Sequence, residues 1–387
     1  MRSVSGAAVN EHTALRQATV YTCVKILSEC IASCAPGLIE RVSTNEVNEI
    51  FDHPALDVLR TPNDWMSWHD LCQYWITHSE LRGNAYAFKV KSGDGRVREL
   101  LPLQPDMVGV QQMPDWTIIF TVGSGRLEPN GQYRSDRVLH LKNFGTIGYK
   151  GESTIALHRD EIGLGLDMQR HAGALYRNGT NLGTVFQHPK TLSQPAYDRL
   201  KLSLGKEFGG VLNTGKPIIT EEGMTVEKLG MTMEDAEFIA SRHYTKQEIA
   251  GIFGVPMFLL NDTEKSTTWG TGLEQVSRAF LNYSLQPRIS RLLMMLNRNL
   301  LLPKEQGKLS FVVNTDRFTL GDFASRYNGY KTAILAGIMN PDEVRHLEHM
   351  NPRPGGDAYV DPQPPGLGFP GENPPEGEPT PPEGQKP

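Results

Sequence analysis

The stretch from Thr232 to Leu302 constrains this chain more than any other, because it reads as helix, loop and long helix in direct succession. Thr232 is placed to cap a helix whose first turn holds Glu234, Asp235 and Glu237, acidic groups that suit the positive end of a helix dipole. That helix is apolar at its ends, through Phe238, Ile239, Ile249, Ile252 and Phe253, and almost wholly polar from Arg242 to Glu248. Gly254 and Pro256 stop it, since proline disfavours helix in the residue before it. A polar loop follows, NDTEKSTTWGTG. In the second helix Leu273, Val276 and Phe280 make one apolar stripe, and Ile289, Leu292, Leu293, Leu296 and Leu300 make another. Pro287 lies between them, lacks a backbone donor and predicts a kink rather than a break. Met294, Met295, Leu301 and Leu302 add apolar character on further faces. Such a helix requires more than one neighbour.

The rest of the chain alternates helix and strand patterns. A first helix from about Thr13 carries Val20, Val24, Leu27 and Ile31 and ends before Pro36. A second follows Ser67, with Asp70 completing a capping box, and ends at Arg82-Gly83-Asn84. AYAFKV, VRELLPL, WTIIFTV and RVLHLKNF read as strands, which gives a mixed α+β region to about residue 150. A helix over 153–178 follows, striped by Ile155, Ile162, Leu166 and Tyr176. Its interior holds Gly163, Gly165, Ala172, Gly173 and Ala174. Each glycine there costs about 1 kcal/mol against alanine, which predicts that another helix approaches closely. A small module comes next: the strand GTVFQH, a helix over 193–208, and a hairpin of KPIIT and MTVEKL. After the long helix, KLSFVVNT reads as a strand, and two short helices follow. From Asn351 roughly a third of the residues are proline, so this tail is expected to be disordered or extended.

Composition narrows the function. At 387 residues the chain is long enough to bury one or two cores. A net charge of −5, with no stretch of clustered Lys and Arg, argues against a dedicated duplex-DNA binder. Cys23, Cys30 and Cys34 share a helix face and cannot enclose a tetrahedral metal alone. With Cys72 they read as buried, reduced thiols of a cytosolic protein. Neither a signal peptide nor a membrane-spanning run is found, so a soluble, intracellular chain is expected. Gly210 to Lys216 matches GxxxxGK, but Pro217 stands where a phosphate loop needs a hydroxyl, and the segment opens a strand instead of a helix. It reads as a turn. His346 and His349 lack a third ligand and read as surface groups. Trp65, Trp68, Tyr74 and Trp75 form an aromatic cluster that lacks the Lys and Arg of a base-stacking platform, so it reads as core with an exposed rim. No catalytic residue, metal or cofactor is expected. The alternative is a monomeric α+β enzyme or regulator of nucleic acid.

RHYTKQEIAGIFGVPMFLL, the Thr/Ser-rich loop and LEQVSRAFLNYSLQPRISRLLMMLNRNLL together resemble the HK97-like family of tailed-phage portal proteins. VYTCVKILSECIAS, LRGNAYAF, PLQPDMV, LYRNGTNLGTVFQHP and AGIMNPDEVRHLEHMNPRPGGD resemble it too, in the same order, over residues 14 to 357. The chain begins almost at the first matching helix, where relatives often carry a longer N-terminal segment. The resemblance implies an α+β subunit of a ring, typically dodecameric, at the capsid vertex of the virion, assembled in the host cytoplasm. It implies a mixed α/β wing at 1–150 and 272–319, stem helices at 151–178 and 233–254, a clip at 179–232, a tunnel loop at 255–271, a crown at 320–350 and the tail at 351–387. Partners implied are further copies of the chain, the terminase large subunit, a head–tail adaptor, the major capsid protein and double-stranded DNA passing through without sequence preference. No membrane is implied. Candidate positions are Thr263, Lys265, Ser266, Thr267 and Thr268 for the tunnel loop, Gly163, Gly165, Ala172 and Gly173 for packing between stem helices, and Pro287 for the kink.

Overall fold

The computed structural model describes residues 2–43, 46–123, 129–177, 184–187, 193–199, 202, 225–228, 233–262, 271–315, 323–348 and 350–360. The chain divides into two compact units, Met1–Phe318 and Thr319–Pro387.

After a one-turn helix at Glu11–Ala14, the larger unit has helix α1, Ala18–Ala32, capped by the Gln17 side chain, which accepts from the Thr19 and Val20 amides. Val20, Leu27 and Ile31 bury themselves at helical spacing. Strands β1 (Pro36–Arg41) and β2 (Val47–Ile50) follow, then the short helix α2 (Pro54–Arg60) and helix α3 (Trp68–Arg82). The expected capping box of Ser67 and Asp70 is present. Gly83 ends α3 in the left-handed region, φ 76°, and a Cβ there would stand 2.1 Å from the Glu152 carbonyl oxygen. Only glycine fits that turn.

Six strands come next: β3 (Asn84–Lys91), β4 (Val97–Leu103), β5 (Val108–Gln112), β6 (Ile118–Val122), β7 (Gly131–Arg134) and β8 (Val138–Lys142). They form two antiparallel sheets ordered β4-β3-β8 and β5-β6-β7. Strand alternation splits β3 between two cores. Tyr86 and Phe88 join Val108, Phe120 and Val122 between the sheets, while Ala85 and Ala87 face the main helical core with Leu27, Leu71 and Leu296.

A one-turn helix at Thr154–Leu157 leads into α4, Arg159–Arg177. The predicted single helix over 153–178 is thus interrupted at His158. Strands β9 (Thr184–Gln187) and β10 (Thr225–Lys228) pair antiparallel. The GxxxxGK segment and the other half of the predicted hairpin lie outside the described residues. Helix α5 spans Met233–Phe253. The long helix comprises α6 (Thr271–Ala279), a π turn (Phe280–Leu285) and α7 (Gln286–Leu300). Strand β11, Leu309–Val313, then returns to pair with β1, setting Phe311 opposite Leu38 and completing the sheet β11-β1-β2.

Just before Pro287, where a kink is expected, the structure has a π turn. Proline in a regular helix clashes with the carbonyl four residues back. Here the preceding turn widens, Gln286 N–H bonds to Leu281 O, and Pro287 enters in the first turn of α7.

The smaller unit holds α8 (Phe323–Leu335) and α9 (Pro341–Leu347), the latter capped reciprocally by Asn340 and Glu343. Part of the tail expected to be disordered or extended, residues 351–360, is held against α9. The Asn351 carbonyl accepts from Arg345, the Arg353 amide donates to Asp342, and the Tyr359 hydroxyl donates to Glu343. Side chains of α9 hold this segment in spite of its prolines. Residues 361–387 lie outside the described residues.

Candidate functional site

Helices α4 and α5 pack together, and buried Thr245 of α5 donates its hydroxyl to Met168 Sδ at 3.7 Å. The small residues of α4 have different neighbours. A Cβ at Gly165 would stand 3.2 Å from Gln17 Nε2 and 3.4 Å from Thr245 Cγ2, so this glycine admits both α5 and the cap of α1. At Gly163 a Cβ would come within 2.3 Å of Ser3 Cβ, so its close neighbour is the N-terminal segment rather than a helix. Ala172 is buried, and Gly173 faces open space. Gly163 and Gly165 therefore serve packing inside this chain, leaving Gly173 as the vacant place on the helix surface.

The end of α5 is fixed to the π turn by Arg288. Its Nε donates to Glu80 Oε1 at 2.7 Å and its Nη2 to Glu80 Oε2 at 3.0 Å. Nη2 also reaches the Phe253 carbonyl at 3.0 Å, and Nη1 the Ser284 carbonyl at 2.8 Å. The Ser284 hydroxyl donates to the Gly254 carbonyl. With the Glu80 side chain only 3% exposed, one guanidinium joins α3, α5 and the long helix in a dry setting.

The loop between α5 and α6 leaves through a second clamp. Asn261 adopts the left-handed conformation at φ 55°. Lys246 Nζ donates to the Leu260 carbonyl at 3.2 Å and to Asp262 Oδ2 at 3.0 Å, and His243 Nε2 lies 3.0 Å from the same oxygen. The Lys246 hydrogen bond, followed by His243, holds the Asp262 carboxyl below its ordinary range. The polar middle of α5 is thus partly spent on Thr245 and this clamp. The loop candidates Thr263, Lys265, Ser266, Thr267 and Thr268 lie outside the described residues.

Sequence reasoning found no Lys/Arg cluster, and the fold builds one. Two hollows of about 330 and 700 Å³ share His140, Lys142 and Arg298 in their walls, between β8 and α7. Lys150 and Arg291 line the first, Lys89 and Lys91 the second. Asp136, 3.8 Å from Lys91, is the one carboxylate among their described lining residues. These cations come from β3, β8, the segment after β8, and α7, so no single stretch reveals them. The available signal was Arg291, Met294 and Arg298 on one helix face. Met294, read from the sequence as core, is 69% exposed, whereas Met295 is buried.

Among the described residues no group of three or more His, Cys, Asp or Glu is arranged to hold a metal. His349 lies outside them. Burial pushes the Cys23 thiol up to about 12 and raises Cys72 as well, the latter also through Cys34, so both stay protonated. Trp75 is fully buried and Trp68 Nε1 donates to the Cys34 carbonyl at 3.0 Å, while Trp65 is exposed.

Known proteins place this arrangement. Residues 18–349 match the family profile described as Phage portal protein. The portal protein of Enterobacteria phage HK97 is 30% identical over 361 residues, covering 92% of this chain and 83% of that one. The probable portal protein of Streptomyces phage phiC31 is 30% identical over 381 residues, covering 96% and 83%. Among solved structures, a chain from the neck of a gene transfer agent particle computed with twelve-fold symmetry aligns at TM-score 0.58 and 22% identity, over 88% of this chain and 93% of that one. An HK97-family phage portal protein from Corynebacterium diphtheriae aligns at TM-score 0.54 and 12% identity, over 80% and 98%. The α+β fold with its paired helices and sandwiched sheets is thus the fold of those chains, and a profile match across most of the sequence places this chain in the phage portal protein family.

Proposed function

We propose that copies of this chain close into a ring at the capsid vertex, with DNA passing along its axis during packaging, retention and ejection. The observation that carries the reading is the frame around the α5–α6 loop. Arg288 ties the end of α5 to the long helix, and Lys246 and His243 of α5 hold Asp262 where the loop begins, which suits a loop that starts from a rigid base. In this reading α4 and α5 form the stem, the β9–β10 module the clip, α8 and α9 the crown, and the two sheets with α6, α7 and β11 the wing. Twelve copies accords with the twelve-fold symmetry used for one gene transfer agent neck, and another was computed with six-fold symmetry. A net charge of −5 suits a channel that DNA must slide through, because net acidity disfavours lasting contact with phosphate. The tunnel loop with Lys265 and its hydroxyls would touch DNA lightly. The clip would dock the terminase large subunit and then the head–tail adaptor, and the wing would meet the major capsid protein.

Electron microscopy and native mass measurement of the purified protein test this. Closed rings with an axial hole, at a whole-number multiple of 43.1 kDa, are expected. A particle of one subunit at micromolar concentration would refute it.

A further inference from the structure

The basic hollow between β8 and α7 has the chemistry of a receptor rather than of a solvated surface. Lys89 is 3% exposed, and its ammonium is held by neutral groups, the Ser135 carbonyl at 3.0 Å and Asn299 Oδ1 at 2.7 Å. Lys150 and Arg298 make no ion pair among the described residues. The cations weaken one another. Burial first, then Lys91 and Arg298, lowers Lys89 to about 8, and burial with Lys142 and Lys150 lowers His140 to about 3. An anion entering here relieves that repulsion in a setting where water screens poorly.

The rim is apolar. Met294 stands exposed on one side, and Trp116, 80% exposed, belongs to the wall of the larger hollow. Trp116 is held at φ 65°, in the turn between β5 and β6, a conformation that costs a side chain about 1 kcal/mol or more. A duplex is a convex rod whose phosphates cannot follow a concave wall down to Lys89. An extended peptide carrying a carboxylate between apolar side chains can.

The chain carries such a peptide on its own surface. Strand β2 is an edge, paired to β1 alone. Its inward residue Ile50 packs on the core, so strand alternation turns Val47, Glu49 and, just beyond, Phe51 outward together. Val47 is half exposed and Phe51 66% exposed. No Lys or Arg occurs from Val42 to Asp52, while Glu46, Glu49 and Asp52 do. Acid flanked by apolar groups on one surface matches cations flanked by apolar groups on the other. Two different patches on one chain are what a head-to-tail ring contact needs.

We infer that the β8–α7 hollow of one copy receives the acidic β2 edge, Glu46 to Asp52, of the next copy in the ring. The inference rests on the ring reading above. Rings assembled from mixed unlabelled and nitrogen-15-labelled chains, treated with a zero-length carbodiimide, should yield cross-links from Glu46 or Glu49 to Lys142 or Lys150 with the mixed-isotope signature of two copies. Glu49→Lys should lower the ring yield by about tenfold or more, and Lys142→Glu with Arg298→Glu in the same chain should restore it. Far-UV circular dichroism separates misfolded variants from folded ones that do not assemble, and the restored triple variant guards against simple misfolding. Wild-type rings without these links, Glu49→Lys chains that assemble at full yield, or a triple variant that assembles no better than Glu49→Lys overturn this inference alone. Loss of affinity for a short DNA duplex in Lys142→Glu rings of normal yield would reassign the hollow to DNA and overturn it too. A wild-type protein that forms no ring overturns the ring reading and takes this contact with it.

Discussion

Replacing Arg288 with methionine tests whether the junction of α3, α5 and the long helix depends on one guanidinium. The substitution keeps most of the side-chain volume and removes the bidentate pair with Glu80 and the bonds to the Phe253 and Ser284 carbonyls. Glu80, 3% exposed, is left charged in a dry place. Breaking a buried pair from one side costs about 3–5 kcal/mol, most of it the stranded charge. For a unit running from Met1 to Phe318 the unfolding entropy is roughly 0.6–0.7 kcal/mol/K, so the melting temperature should fall by about 5–8 °C. Glu80→Gln added to Arg288→Met neutralises the stranded charge and should regain about half of the loss or more. Both are read by thermal unfolding at pH 7 and completed as a double-mutant cycle with Glu80→Gln alone. A single variant within about 1 kcal/mol of wild type, or a double variant no better than the single, would refute the reasoning.

Three further outcomes are expected. Gly163→Ala should destabilise the fold by about 1–3 kcal/mol through its clash with Ser3, whereas Gly173→Ala should be neutral or gain up to about 1 kcal/mol in denaturant unfolding, and Gly173→Leu should impair assembly without lowering subunit stability. His78 and His140 are lowered by burial to about 4 and about 3, so the unfolded chain takes up protons first; their stability contribution is whole above about pH 6.5 and is lost as pH falls toward those values. His140→Gln should flatten the dependence of unfolding free energy on pH between 6.5 and 4 by up to about 1.4 kcal/mol per unit. Truncation after Val360 should leave the unfolding of the smaller unit unchanged, whereas truncation after Met350 removes the partners of Arg345, Asp342 and Glu343 and should lower its melting temperature by several degrees, seen by calorimetry.

The parts of this fold that could be read from sequence are those fixed by local chemistry. Ser67, Asp70 and Gly83 bound α3 because caps and left-handed turns are decided within a few residues. Strands β1, β2, β5 and β7 went unread. They are short, open to solvent on one or both faces, and punctuated by residues such as Pro36, Gly37 and Gly109, so their pairing partners define them. Gly165 of α4 meets Thr245 of α5, but spacing gave no means of telling that Gly163 meets Ser3 and that Gly173 meets nothing among the described residues. The basic hollow was illegible for the same reason. Its cations are scattered in sequence and meet only once β3, β8 and α7 have packed.

The pairing of β1 with β11 has a consequence for synthesis. Leu38 leaves the ribosome early, and Phe311, its partner across the sheet, arrives only after the paired helices, the β9–β10 module and the long helix have all been made. At about 5–20 residues per second β1 waits on the order of tens of seconds with an open edge. Throughout that interval β1, paired to β2 on one side only, presents an open edge beside an incomplete apolar core, the condition in which chains join edge to edge. The step that seals the subunit is therefore among the last to become possible, and slow translation upstream of Leu309 should lengthen the period in which a chaperone is needed.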